Sequence, residues 1–323
     1  MKKFISMILV LAMALCLFAG CGNAKEDGVL KIAVVRQLDH SSMEEIQNAI
    51  TGRLDAIAKE KNLKITYKDF SGGNDATVLA QVGTQIKDDR YDAVIPIGTL
   101  AAQSMVTALE GTNTPVIYAA VSDPQKAGLV DLPKVTGVSD ALNTEFIMDM
   151  ILALDPEIKA VGLLYSNSEP NSATPVAQAK AYLEKKGITV IEKTGNNASE
   201  ILAAAESLVD RVEAVFTPTD NVVMASEGAV AEILNKAGIP HYTGADSFVT
   251  SGAFVTSGVN YTELGAKAAD MAIDALQNGN YPAFHVMAGG IITVNKETAT
   301  ALNINYSVFN TMAGTVKEVE TGK

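Results

Sequence analysis

The chain has 323 residues, 48% of them hydrophobic, and a formal net charge of −12. That length exceeds one small domain and suits two, and the acidic balance argues against a nucleic-acid surface. In chain order, Val29 to Val35 is an apolar strand ending at Arg36-Gln37. Ser42 and Glu45 then have capping-box spacing ahead of a helix over Met43 to Lys61. Leu63 to Phe70 reads as a strand, Ser71 to Asp75 as a turn and cap, and Ala76 to Lys87 as a helix. Tyr91 to Ile97 is a strand closed by Gly98-Thr99, followed by a helix over Leu100 to Glu110. Val116 to Val121 is an uncharged run that reads as a strand buried on both faces, and Ser122-Asp123-Pro124 ends it. Gln125 to Asp140, with Pro133 and Gly137, reads as a loop, and helical spacing resumes at Thr144 to Leu154.

The alternation then starts again. Ala160 to Tyr165 is a strand, Ser166 to Ser172 a polar loop, and Thr174 to Lys186 a helix stopped by Gly187. Strands follow at Ile188 to Lys193, Ala214 to Thr217, His241 to Ala245 and Phe254 to Gly258. Helices fall at Glu200 to Val209, Asn221 to Ala237 and Asn260 to Asn278, and Phe284 to Val294 is strand-like. The expected fold class is α/β: two doubly wound parallel-sheet lobes. One lobe takes residues 29–140 and 260–283, the other 141–259 and 284–323. Three crossings near Ser139 to Asn143, Gly258 to Tyr261 and Tyr281 to Phe284 would form a hinge.

The N-terminus carries an address. Met1-Lys2-Lys3, the apolar run Phe4 to Phe18 and the small residues before Cys21 read as a signal peptide over 1–20 and a lipoprotein box. Phe18 stands where such boxes usually have leucine. Cys21 would be the lipidated residue, with 21–28 as a polar tether. Cys16 and Cys21 are the only cysteines, so the mature chain would hold no internal disulfide.

Taken with the paired lobes, Tyr118-Ala119-Ala120-Val121-Ser122-Asp123-Pro124, Val135-Thr136-Gly137-Val138-Ser139-Asp140 and Leu164-Tyr165-Ser166-Asn167-Ser168-Glu169-Pro170-Asn171-Ser172 resemble one family. It is the substrate-binding lipoproteins of ABC importers with a type I periplasmic-binding fold, in the branch that includes tryptophan- and tyrosine-binding members. The resemblance implies a lipid-anchored, extracytoplasmic monomer that closes on a small, amino acid-like molecule and delivers it to a membrane permease. It implies a carboxylate held at the third and fourth strand ends, at Thr99, Ala101, Ala120 and Ser122, and an ammonium held by Asp246 or, second, Asp220. Gln37, Asp123, Asn167, Asn171, Ser172, Thr219 and Ser247 stand on the same strand-end loops, with Tyr165 and Phe248 as aromatic candidates. The competing reading of Thr99 and Asp220 is as helix caps. A branched aliphatic amino acid, another polar metabolite, or a sensing domain of the same fold are the competing readings.

No catalysis, metal or cofactor is expected. His40, His241 and His285 lack ligand spacing, no nucleophile elbow follows a strand, and Ser71-Gly72-Gly73-Asn74 lacks a phosphate fingerprint. The helix methionines Met148, Met150, Met224 and Met271 read as core filler.

Overall fold

The computed structural model describes residues 28–313 and 316–322. The signal peptide, Cys21 and all but the last residue of the tether lie outside the described residues. The first lobe holds β1 (Val29–Arg36), α1 (Ser41–Glu60), β2 (Lys64–Ser71), α2 (Ala76–Asp88), β3 (Ala93–Ile97), α3 (Thr99–Ala108), β4 (Val116–Ala119) and β5 (Val135–Ser139). The second holds α4 (Thr144–Leu154), β6 (Ala160–Tyr165), α5 (Ala173–Lys185), β7 (Thr189–Thr194), α6 (Ala198–Glu206), β8 (Ala214–Thr217), α7 (Asn221–Met224), α8 (Glu227–Lys236), β9 (His241–Thr243), α9 (Asp246–Thr250) and β10 (Val255–Gly258). The chain returns with α10 (Tyr261–Asn278) and β11 (His285–Val286), then crosses to β12 (Ile291–Asn295), α11 (Lys296–Ala301), α12 (Phe309–Met312) and β13 (Val316–Val319).

Two sheets result, in strand orders β11-β5-β4-β3-β1-β2 and β13-β12-β10-β9-β8-β6-β7. Every pairing is parallel except β10 with β12. The strands are short and β-rich because both faces are covered: every residue of β3, β4 and β8 is buried. The first core packs Ile32, Val34 and Ile95 of the sheet against Ile46, Ile50 and Leu54 of α1 and Leu264 and Ala268 of α10. Gly265 makes that helix pair possible, since a Cβ there would stand 2.5 Å from the Ile46 carbonyl and 2.7 Å from Ala49 Cβ. The second core joins Leu163, Phe216, Tyr242 and Phe254, with the Tyr242 and Phe254 rings edge-on at 5.7 Å.

Four expectations are corrected. Gln125 to Asp140 is not all loop: β5 pairs with β4 and continues the sheet. Its Thr136 and Gly137 interrupt the apolar pattern, but Gly137 lies against Tyr118, where a Cβ would meet the ring and carbonyl at 2.4 and 2.2 Å. Ser42 does not cap α1; its hydroxyl goes to Ser247 of the other lobe, and Glu45 accepts from Thr262 Oγ1 instead. The expected helix Asn221 to Ala237 is broken into α7 and α8 at Ala225-Ser226. Phe284 to Val294 is two strands in different sheets, because His285 and Val286 pair with Val138 and Ser139. The third crossing therefore lies between Val286 and Ile291, later than Tyr281 to Phe284.

Candidate functional site

The carboxyl ends of both sheets face each other across the interval between the lobes, the place where open α/β sheets bind ligands. The lobes are closed. Gln37 Nε2 donates to Glu169 Oε1 (3.0 Å), His40 Nε2 meets Asn221 Oδ1 (3.0 Å), Ser122 and Thr219 hydroxyls meet at 3.1 Å, and Thr174 donates to Asp123 (2.6 Å). With the Ser42–Ser247 hydroxyl contact, five hydrogen-bonded pairs among the described residues span the two lobes. Between them lies a small cavity of about 30 Å³.

The cavity has two kinds of wall. One is polar: Gly98, Thr99, Ala120, Ser122, Asp140, Asn171, Thr219, Asp220 and Asn221. The other is apolar: Met43 and Ile46 of α1, Met224 of α7, and Ala245, Phe248 and Tyr261. Backbone geometry builds the polar wall. Gly98 is held at φ +96°, and a Cβ there would meet Gln37 Oε1 at 2.7 Å, so the turn from β3 into α3 needs glycine. Ala120 adopts φ +54° at the end of β4, a left-handed conformation uncommon for alanine and typical of strained site residues. Gln37 caps α3 from outside by accepting from Leu100 N (3.0 Å) and also bonds Asn74 (2.8 Å). Thr99 is therefore free of capping, and its buried Oγ1 has no partner among the described residues. Asn171 is similar: its Nδ2 donates to the Thr219 carbonyl (2.7 Å), leaving Oδ1 buried and unpaired.

Among the described residues no lysine or arginine lines this cavity, whereas two carboxylates do. Asp140 is buried and accepts from Ser122 Oγ (2.9 Å) and Tyr261 Oη (3.3 Å). Burial pushes its carboxyl above the usual range, because nothing cationic offsets the lost hydration. Asp220 is also buried, with its pKa raised by desolvation, but its oxygens are taken: Val222 N and Val223 N donate to Oδ1, and Ser166 N and Ser172 Oγ donate to Oδ2. It is a cap and a knot for the loops after β6 and β8. Beside them Glu169 accepts from Gln37 and from Asn221 Nδ2 (2.6 Å); burial and then the neighbouring Asp220 push it up to about 7.

Of the residues expected from sequence, Thr99, Ala120, Ser122, Asn171, Thr219, Asp220 and Phe248 line the cavity, and Gln37 packs against the lining residue Gly98. The others do not reach it. Ala101 is core on the far side of α3. Asp123 is the acceptor in the outer cross-lobe contact, and Ser172 serves Asp220. Tyr165 donates to Glu192 (2.8 Å) and Asn167 to Thr194 (3.0 Å), both on an outer cleft of the second lobe. Ser247 supports the wall through Ser42 and Met224 Sδ (3.2 Å). Asp246 opens α9 and faces a separate hinge cleft shared with Glu45 and Lys317, whose ammonium lies 3.8 Å away. Met224, read as core filler, is cavity wall. His40 and Asn221 stand on the expected strand-end loops Gln37 to Ser41 and Thr217 to Asn221; missed residues include Ser42, Met43, Ile46, Asp140 and Tyr261, of which Asp140 stood at the end of an unrecognised strand.

The profile of one family, described as ABC transporter substrate binding protein, matches residues 31–312. A curated relative from Clostridioides difficile (strain R20291), named tyrosine-binding protein, is 29% identical over 325 residues, covering 94% of this chain and 93% of that protein. Among solved structures, an ABC domain in complex with L-Trp from Streptococcus pneumonia is 31% identical, with TM-score 0.80, covering 89% of this chain and 99% of that one. The ligand-free, open structure of a substrate-binding protein with adhesive properties from Clostridium difficile is 26% identical, with TM-score 0.66, covering 90% and 99%.

Proposed function

Because the chain belongs to the ABC transporter substrate-binding proteins, with their type I periplasmic-binding fold and extracytoplasmic role, we propose that its inter-lobe cavity captures an aromatic amino acid, such as tryptophan or tyrosine, for a membrane permease. The observation that carries this reading is the two-ended cavity. The N-terminus of α3 and the unpaired Thr99 hydroxyl suit a carboxylate, since a helix start offers free N–H groups. Asp140 and Asn171 Oδ1 suit an ammonium, which would supply the missing countercharge. Met43, Ile46, Met224 and Phe248 suit a flat apolar side chain. Asp140 takes the ammonium role first given to Asp246, because Asp246 faces another cleft. The names of the Clostridioides and Streptococcus relatives support the aromatic class. Alternation of the two lobes about the three crossings would open and close the site, and the molecule would act as a monomer on a lipid anchor at Cys21.

Calorimetry of the protein against L-tryptophan, L-tyrosine, L-leucine and myo-inositol tests the ligand. Saturable binding of an aromatic amino acid, with weaker or no binding of the other two, is expected. Preference for leucine or inositol would overturn the reading. Labelled palmitate incorporated into wild type but not Cys21→Ser tests the anchor.

A further inference from the structure

His40 lies between β1 and α1, and its ring lines the cavity. Its hydrogen bonding fixes the tautomer. Asn221 Nδ2 is committed to donating to Glu169, so Asn221 presents its Oδ1 to His40. An amide oxygen only accepts, so His40 Nε2 carries the proton. Burial lowers the tendency of this ring to take a second proton, chiefly through desolvation, against weaker opposing effects of Asn221, Glu44 and Asp39. His40 Nδ1 is then a bare acceptor. It is buried and has no partner among the described residues.

The ring sits with the apolar wall. His40, Met43 and Ile46 follow each other at three-residue steps along the start of α1, and all three line the cavity. Across from them Asn221 and Met224 have the same spacing on α7. Beside the apolar Met43, Ile46 and Met224, His40 thus carries an acceptor that the described residues leave unmatched. Buried polar groups of this kind set orientation and selectivity in small-molecule sites.

We propose that His40 is the specificity-determining residue for the ligand side chain: its Nδ1 accepts a hydrogen bond from a ring-borne N–H or O–H, selecting indole or phenol over plain phenyl or aliphatic side chains. This rests on the aromatic amino acid reading above. A ligand without the donor leaves Nδ1 buried and unpaired, which weakens binding by roughly ten- to a hundredfold.

The test is calorimetry on the full-length protein in detergent with two matched pairs: L-tryptophan against β-(3-benzothienyl)-L-alanine, where sulfur replaces the indole N–H, and L-tyrosine against L-phenylalanine. In wild type at least one donor-bearing member should bind tenfold or more tighter than its partner. In His40→Phe, which keeps an aromatic ring but no acceptor, that ratio should fall below about threefold. Absolute affinities will also drop in this variant, because the contact to Asn221 is lost, so the ratio is the readout. Equal affinities within both pairs in wild type, or a ratio unchanged in His40→Phe, overturn the inference while leaving the aromatic reading intact. If none of the four ligands binds, the aromatic reading falls and the inference with it.

Discussion

Asp140→Asn separates an ammonium partner from a structural carboxylate, because it moves two observables in opposite directions. Asp140 is buried, accepts from two hydroxyls, and has no cation within the cavity to offset its charge. Asparagine keeps an acceptor oxygen, and the Ser122 and Tyr261 hydroxyls rotate to accommodate its amide. The unliganded protein should therefore hold its melting temperature or rise, since an uncompensated buried charge is removed. Binding should weaken, because the ligand ammonium loses its anion; truncating one side of a buried charge pair costs about 2–5 kcal/mol, on the order of thirtyfold to several thousandfold. Asp220→Asn is the contrasting variant. Val222 N and Val223 N donate to one oxygen of Asp220 and Ser166 N and Ser172 Oγ to the other, so an amide NH₂ in either place opposes a backbone N–H. That should cost about 1–3 kcal/mol of stability, with a lower melting temperature and a smaller affinity loss than Asp140→Asn. Calorimetry with L-tryptophan and differential scanning calorimetry of both variants give the four numbers. Asp140→Asn binding within threefold of wild type, with Asp220→Asn losing binding, would refute the reasoning and move the ammonium to Asp220.

Three further outcomes follow from the geometry. Thr99→Val removes a buried hydroxyl that has no protein partner, so thermal stability should change little while affinity falls roughly tenfold, about 1–1.5 kcal/mol. Gly265→Ala drives a methyl toward the Ile46 carbonyl at 2.5 Å; it should destabilise by about 1–3 kcal/mol, lowering the melting temperature roughly 2–4 °C for each. Glu169 holds its proton up to about 7 in the folded, closed molecule, above the ordinary carboxylate range, so unfolding releases a proton between that range and neutrality. Its contribution to stability is therefore present in full below the ordinary range and is lost as pH rises through about 7. Melting temperature should fall more steeply between about pH 5 and 8 in wild type than in Glu169→Gln, and parallel slopes would contradict this.

The two-lobe α/β plan was legible because buried parallel strands and the helices that cover them announce themselves locally. Asp75 illustrates the local case: it caps α2 by accepting from Thr77 N and Val78 N, as its place before an apolar helix suggests. Strand β5 was not legible, since Thr136 and Gly137 are explained by neighbours on β4 and by the Pro282 carbonyl, to which Thr136 donates at 2.8 Å. Strand β11 has two residues and is defined only by its pairing.

The site divides along the same line. Thr99, Ala120 and Ser122 could be placed because strand ends in a parallel sheet point to the cleft. Choosing among the aspartates could not be done that way. Asp140, Asp220 and Asp246 all follow or close strands and look alike in sequence. What separates them is how much of each carboxylate is already used. Asp220 receives four hydrogen bonds from residues 166 to 223 and has little left for a ligand. Asp246 faces Lys317 across a different cleft. Asp140 keeps acceptor capacity because each of its oxygens accepts from a single side-chain hydroxyl, Oδ1 from Ser122 and Oδ2 from Tyr261. An aspartate that caps and an aspartate that binds are the same residue with different numbers of lone pairs filled, and that count is set within each lobe by the loops and helices packed around the strand end.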